Sequence, residues 1–157
     1  MKTLTFNKII SLLTLGFIII NFGIVLYFFP YLPENIHSHY NLLGNADDKA
    51  NRFIIFLLPG LSLLMYFLLE YFIRKPEIMN FPVKVTEENR KELYFVAVTM
   101  INFIRFLLIL LLLYVSMSVV YNEIKGIKQI YAPVVYLFIV LIFLTLFVGI
   151  KKIYNIK

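Results

Sequence analysis

The chain of 157 residues contains no cysteine, so it can form neither a disulfide framework nor a thiol-based catalytic or metal site. It also lacks three common catalytic signatures, G-x-S-x-G, H-E-x-x-H and the Walker phosphate loop. Asp47 and Asp48 are an adjacent acidic pair, which differs from the opposed carboxylates on neighbouring helices that an intramembrane protease needs. These absences favour a protein without catalytic activity, and they predict no cofactor.

Charged residues are also scarce, at 15% of the chain, whereas 61% of the residues are hydrophobic. A soluble domain is about 45–50% apolar, and a chain this short cannot hide such an excess in its own core. The lipid bilayer is therefore the expected surrounding. The net charge of +6 then bears on membrane topology and on anionic lipid rather than on nucleic acid.

Four long apolar runs cover residues 9–29, 53–73, 93–121 and 130–150. About 20 apolar residues cross the hydrocarbon as a helix, and none of the runs shows the polar–apolar alternation of membrane strands. The first run has no A-x-A cleavage site and exceeds a signal-peptide core, so we expect an uncleaved helix. The sequence predicts one all-α domain over 1–157, a bundle of four transmembrane helices with a structured external loop between the first two.

The distribution of lysine and arginine predicts the orientation. Ten basic residues lie in the N-terminus, the 74–92 segment and the C-terminus, against four in the 30–52 and 122–129 segments. Because cytoplasmic loops of membrane proteins carry the excess of basic residues, we expect both termini in the cytoplasm. The 30–52 loop would then lie outside.

The 30–52 loop contains both histidines of the chain. In a regular extended segment, the side chains of His37 and His39 would point the same way. Together with Asp47 they are weak candidates for a zinc site. The alternative is that these imidazoles form hydrogen bonds within a folded loop.

Turn-forming residues indicate that this loop has a defined shape. Pro33 favours extended backbone, and Asn41 and Gly44 suit turns that need a positive φ angle. A folded external loop is a candidate binding surface. A rigid connection between two helices explains the same residues equally well.

Two ionisable residues, Glu70 and Arg105, lie within the apolar runs. Charges inside a membrane are costly, so such residues usually pair with each other or face a cavity. The alternative is that both side chains extend to the membrane surface, with Glu70 meeting Arg74 one helical turn on. Glu70 and Arg105 form a candidate site only if they pair with each other or face a shared cavity.

The loop motif of this chain resembles that of a known family. The order L-P-x-x-I-x-x-H-x-N-x-x-G-x-x-D resembles the signature of the DUF1648 membrane domain, which is also the N-terminal part of SdpI-type immunity proteins. The matching residues are Leu32, Pro33, Ile36, His39, Asn41, Gly44 and Asp47. Arg52 stands where a basic residue commonly follows, and residues 80–86, NFPVKVT, resemble a second landmark of the family.

The resemblance implies a multi-pass protein of the plasma membrane of Gram-positive bacteria. SdpI-type proteins protect the producer from a secreted toxin, and some also sequester a repressor. The leading hypothesis is therefore an immunity or sensing protein whose external loop engages a peptide toxin or an envelope ligand. A membrane enzyme or solute transporter using His39, Asn41 and Asp47, with or without a metal, is the alternative. A subunit that partners another membrane protein is a third interpretation.

Overall fold

The computed structural model describes residues 2–156 and consists of four long helices and one β-hairpin. All four helices are long and apolar enough to cross a membrane, so the predicted bundle of membrane-spanning helices is confirmed. The elements are α1 (Lys2–Phe28), β1 (Asn35–Tyr40), β2 (Ala46–Asn51), α2 (Leu57–Arg74), α3 (Arg90–Lys125) and α4 (Ala132–Tyr154). The hairpin and the α3–α4 connection lie at one end of the bundle, the hairpin side. The 75–89 loop, the start of α1 and the end of α4 lie at the other end, the terminus side.

The helices do not coincide with the apolar runs, because a helix can continue beyond the hydrocarbon. α3 has 36 residues, which gives a length of about 54 Å at about 1.5 Å per residue. This exceeds the hydrocarbon thickness of about 30 Å. In contrast, α2 begins four residues after the start of its apolar run, because a short 3₁₀ helix occupies Arg52–Phe56. Pro59 consequently lies in the first turn of α2, where proline is well accommodated.

The long helix α3 is the centre of the bundle and packs against each of the other three helices. Its buried positions recur along its whole length, whereas α4 buries only Ala132, Gly149 and Ile153. Most of α4 is therefore left to contact lipid or another protein. A helix that is apolar on all sides and mostly exposed in an isolated chain is typical of a membrane segment.

An apolar cluster joins the base of the hairpin to the helices. Its buried members come from α1, the α1–β1 connection, β1, the segment before α2, and α3; they are Val25, Leu32, Ile36, Ile55, Val119 and Val120. Ile36 is the strand residue of this set and is 1% exposed. The hairpin is thus packed against the helix bundle through the buried side chain of Ile36.

The second sequence landmark, residues 80–86, leads into the start of α3. The backbone N–H of Thr86 donates to Asn89 Oδ1 at 2.8 Å, and the N–H of Asn89 donates to Thr86 Oγ1 at 3.3 Å. This reciprocal arrangement satisfies N–H groups that a helix start leaves free. Phe81 stacks on Tyr94 of α3 with a centroid distance of 5.6 Å. The landmark therefore fixes the terminus-side loop against the bundle.

Candidate functional site on the hairpin

Two residues of the sequence motif, Asn41 and Gly44, build the turn between β1 and β2. The Asn41 Oδ1 atom accepts hydrogen bonds from the backbone N–H of Leu43 at 2.9 Å and of Asn45 at 3.1 Å. Gly44 has a φ of 83°, which lies in the left-handed region that favours glycine. A Cβ atom at Gly44 would also overlap the carbonyl oxygen of Ile130. The turn thus depends on both the Asn41 side chain and the absence of a side chain at position 44.

The tip of the hairpin is bonded to the α3–α4 connection through the backbone. The N–H of Ile130 donates to the Gly44 carbonyl at 2.8 Å, and the N–H of Ala46 donates to the Lys128 carbonyl at 2.8 Å. Residues 127–130 thus run beside the hairpin like a short third strand. Such pairing removes part of the free edge that a two-stranded sheet would expose, and it holds the tip in one position.

Arg52 closes the base of the hairpin. Its Nη1 atom donates to the Leu32 carbonyl at 3.1 Å, and its Cζ atom lies 4.8 Å from the centroid of the Phe29 ring. Its backbone N–H donates to the Glu34 carbonyl at 2.8 Å. Pro33 is the residue between these two carbonyl groups, in the segment that enters β1. Arg52 therefore acts as a clamp on the chain rather than as a free cation.

His39 and Asp47 face each other across the two strands. His39 Nδ1 lies 2.5 Å from Asp47 Oδ1, and the two side chains are 67% and 43% exposed. They form an open polar patch on the hairpin. Among residues 2–156, no group of three or more histidine, cysteine or acidic side chains is arranged to hold a metal ion.

The side chain of His37 does not join this patch, so the expectation that the two imidazoles point the same way is wrong. The strand pairing shifts between His37 and His39, because the hairpin is irregular at this point. His37 Nδ1 instead lies 2.7 Å from Glu123 Oε1 on α3, and the backbone N–H of His37 donates to the same oxygen at 2.7 Å. The irregularity thus sends one histidine inward and leaves the other outside.

Glu123 is a site residue that the sequence analysis missed. Its side chain is 6% exposed, although its position at the end of an apolar run is typical of a solvated residue. The Tyr40 phenol lies nearby, where burial raises its pKa to about 12 and the Glu123 carboxylate acts in the same direction. Only the fold could have revealed this cluster, because its three members come from β1 and α3.

A second charged cluster lies among the helices towards the terminus side. Arg105 Nη1 donates to Glu70 Oε2 at 2.5 Å, while Glu70 Oε1 accepts from Arg74 Nε at 2.7 Å. The Arg105 side chain is 1% exposed and that of Glu70 is 19% exposed. One carboxylate thus bridges a buried guanidinium on α3 and an exposed one on its own helix.

Other polar groups surround the Arg105 guanidinium. Its Nη2 atom donates to Asn102 Oδ1 at 2.7 Å and to Ser11 Oγ at 3.1 Å. Its Cζ atom lies 4.4 Å from the centroid of the Tyr66 ring. Asn102 in turn donates to the Asn7 carbonyl at 3.0 Å. The network connects α1, α2 and α3, and so it provides partners for polar groups that would be costly if left unpaired in a membrane.

Comparison with known proteins identifies one part of the chain. Residues 16–63 match the family model of DUF1648, a domain of unknown function. This part of the chain therefore resembles the DUF1648 domain. The matched segment contains the end of α1, the whole hairpin and the start of α2, but neither Glu70 nor Arg105. No curated protein and no solved structure matches the chain.

Proposed function

We propose that this DUF1648 protein is a non-enzymatic immunity or sensing protein of the bacterial plasma membrane, whose hairpin contacts a secreted membrane-active peptide. The observation that carries the proposal is the way the motif is used. Asn41, Gly44 and Arg52 build and anchor the hairpin through backbone contacts. These three residues then form a rigid support, whereas His39 and Asp47 of the same signature lie on its exposed outer surface.

The chemistry of that outer surface suits an amphipathic cationic peptide. Leu42 and Leu43 at the tip are 81% and 74% exposed. Asp47 and Asp48 follow on the exposed part of β2. A membrane-active peptide commonly has an apolar face and a basic face. Exposed leucines beside carboxylates complement both faces.

The proposed orientation places this surface where a secreted peptide arrives. The basic residues are concentrated on the terminus side, which favours both termini in the cytoplasm and the hairpin outside. The chain also resembles SdpI-type proteins, which protect the producer from a secreted toxin. This resemblance likewise favours a ligand that arrives from outside the cell. Helix α3 contacts both clusters of charged residues, and so it connects the hairpin to the terminus side of the bundle.

A metal-dependent enzyme or a solute transporter is supported less well by the geometry. The Asn41 side-chain oxygen is already occupied by two backbone N–H groups. The cleft between the hairpin and the bundle measures about 110 Å³ and is lined mainly by apolar residues. Zinc titration of the purified protein distinguishes this hypothesis from the immunity or sensing function. Stoichiometric zinc binding that His39→Ala abolishes would favour the metal-dependent protein.

The proposed function can be tested by a protection experiment. A Gram-positive strain sensitive to cationic membrane-active peptides would express the full chain or its variants at matched levels. We expect survival to increase with the native chain, and to fall at least tenfold for Leu42→Asp with Leu43→Asp, because the new charges disrupt an apolar contact. Ile124→Asp is the matched control, because Ile124 is 43% exposed on the same side of the membrane but outside the hairpin.

Two results would contradict the proposal. One is unchanged survival across a panel of such peptides when the native chain is expressed. The other is equal loss of protection in the hairpin double variant and in Ile124→Asp, which would show a general effect of charge on the hairpin side. Asp47→Asn with Asp48→Asn gives a second arm, which we expect to weaken protection against cationic peptides without affecting protein level.

A further inference from the structure

A groove of about 380 Å³ lies on the terminus side of the bundle, far from the hairpin. It separates the start of α1 from the end of α4, and α3 forms its floor. Its apolar lining includes Phe6 of α1, Val96, Met100 and Phe103 of α3, and Leu144 and Val148 of α4. The volume is within the range of pockets that bind small molecules, about 300–1,000 Å³.

Close packing between α3 and α4 shapes the floor of this groove. A Cβ atom at Gly149 would overlap the side chain of Met100, so the glycine lets Met100 lie directly against α4. The two threonines of the lining already have hydrogen bonds. Thr145 donates to the Leu141 carbonyl at 2.7 Å, and Thr99 accepts from Asn7 at 3.2 Å. Each of these hydroxyl groups thus has a partner within the protein, and this part of the groove suits an apolar occupant.

The end of the groove carries a positive charge. Lys152, in the last turn of α4, is the charged residue of the lining. Its ammonium group can reach the membrane surface while its methylene groups remain over the apolar wall. Lys8 and Lys151 are exposed at the same end of the bundle. Basic residues beside pockets between transmembrane helices attract anionic lipid headgroups.

We propose that this groove binds one acyl chain of an anionic phospholipid from the leaflet on the terminus side, with the phosphate of the headgroup at Lys152. The apolar lining accommodates the chain, and the lysine selects the charge. The site is independent of the hairpin and of the proposed peptide binding. A second copy of the chain or a helix of another protein would need the same apolar walls, but Lys152 at the groove's mouth favours an occupant with a negative charge.

Native mass spectrometry of the delipidated full chain in detergent tests this proposal. The probes are phosphatidylglycerol and phosphatidylcholine with identical acyl chains. We expect the native chain to retain one phosphatidylglycerol in preference to phosphatidylcholine, and Lys152→Gln to reduce that preference about fivefold. Lys151→Gln is the matched control, because Lys151 is adjacent and exposed but does not line the groove. Equal losses in the two variants would overturn the proposal, as would an absence of preference in the native chain.

Photo-crosslinking identifies the occupant directly. A photoreactive amino acid replaces Val148, which is 55% exposed in the groove wall, in cells that express the full chain. We expect a phospholipid adduct at this position, and less adduct when Lys152→Gln is added. A crosslinked dimer or an adduct to another protein would show that a helix fills the groove and would refute the lipid proposal.

Discussion

Two of the charged side-chain pairs in the molecule lie in opposite surroundings. Arg105–Glu70 lies among three helices, where the guanidinium is 1% exposed, whereas His39–Asp47 lies on the open face of the hairpin. The buried pair lies outside the segment that matches DUF1648, and the exposed pair lies within it. An interaction in the bundle interior cannot be lost without leaving a charge unsolvated. The exposed pair can be lost at little cost to the fold, so it can serve binding.

The strongest effect is expected from removing one partner of the buried pair. Glu70→Gln leaves Arg105 inside the bundle without its carboxylate, and we expect a loss of about 3–5 kcal/mol in the free energy of unfolding. Arg105→Gln should cost less, because Glu70 keeps its contact with the exposed Arg74 at 2.7 Å. Thermal and denaturant unfolding in detergent micelles measure both losses.

The double variant provides the internal control for this comparison. If the two side chains interact, Glu70→Gln with Arg105→Gln should be clearly more stable than the sum of the single losses predicts. The charge exchange Glu70→Arg with Arg105→Glu should likewise recover part of what its single variants lose. Strict additivity in both cycles would show that the contact contributes nothing.

An intermediate effect is expected from the hairpin turn, where strain and packing can be separated. Gly44→Ala forces an alanine into the left-handed region, which costs about 1–2 kcal/mol, and it also overlaps the carbonyl of Ile130. Gly126→Ala is the matched control, because Gly126 has a φ of 70° but open space around its Cβ position. We expect Gly44→Ala to lower the unfolding temperature more than Gly126→Ala does. Equal decreases in the unfolding temperature would mean that the close contact between Gly44 and Ile130 adds nothing to the cost of the substitution.

The smallest effect on stability is expected at the exposed pair. His39→Ala should change the free energy of unfolding by less than about 1 kcal/mol, because exposed ion pairs contribute little. The same variant should nevertheless reduce protection from the peptide, since His39 is 67% exposed on the proposed binding face. Unfolding in micelles and the survival assay are measured side by side. A large loss of stability would show that His39 is part of the support and would remove the contrast between the two pairs.

Composition and run length were enough to predict the four membrane helices, because a bilayer imposes a length and an apolar surface on each. The turn residues Asn41 and Gly44 were also recognisable, since their chemistry is local. The strand pairing was not predicted, because residues 46–51, ADDKAN, are poor strand formers and their pairing depends on β1 and on the α3–α4 connection. Glu123 was missed for the same reason, since its partner His37 is 86 positions away.

The hairpin is proposed to be an outward-facing binding surface, and its orientation can be measured directly. The chain has no cysteine, so single cysteines at Asn45 and Asn80 can be labelled on an otherwise thiol-free protein. Both positions are exposed, one at the hairpin tip and the other in the terminus-side loop. In intact cells, a membrane-impermeant thiol reagent should label Asn45→Cys and leave Asn80→Cys unlabelled until the membrane is opened. Labelling of Asn80→Cys alone would place the hairpin in the cytoplasm and contradict the proposed orientation.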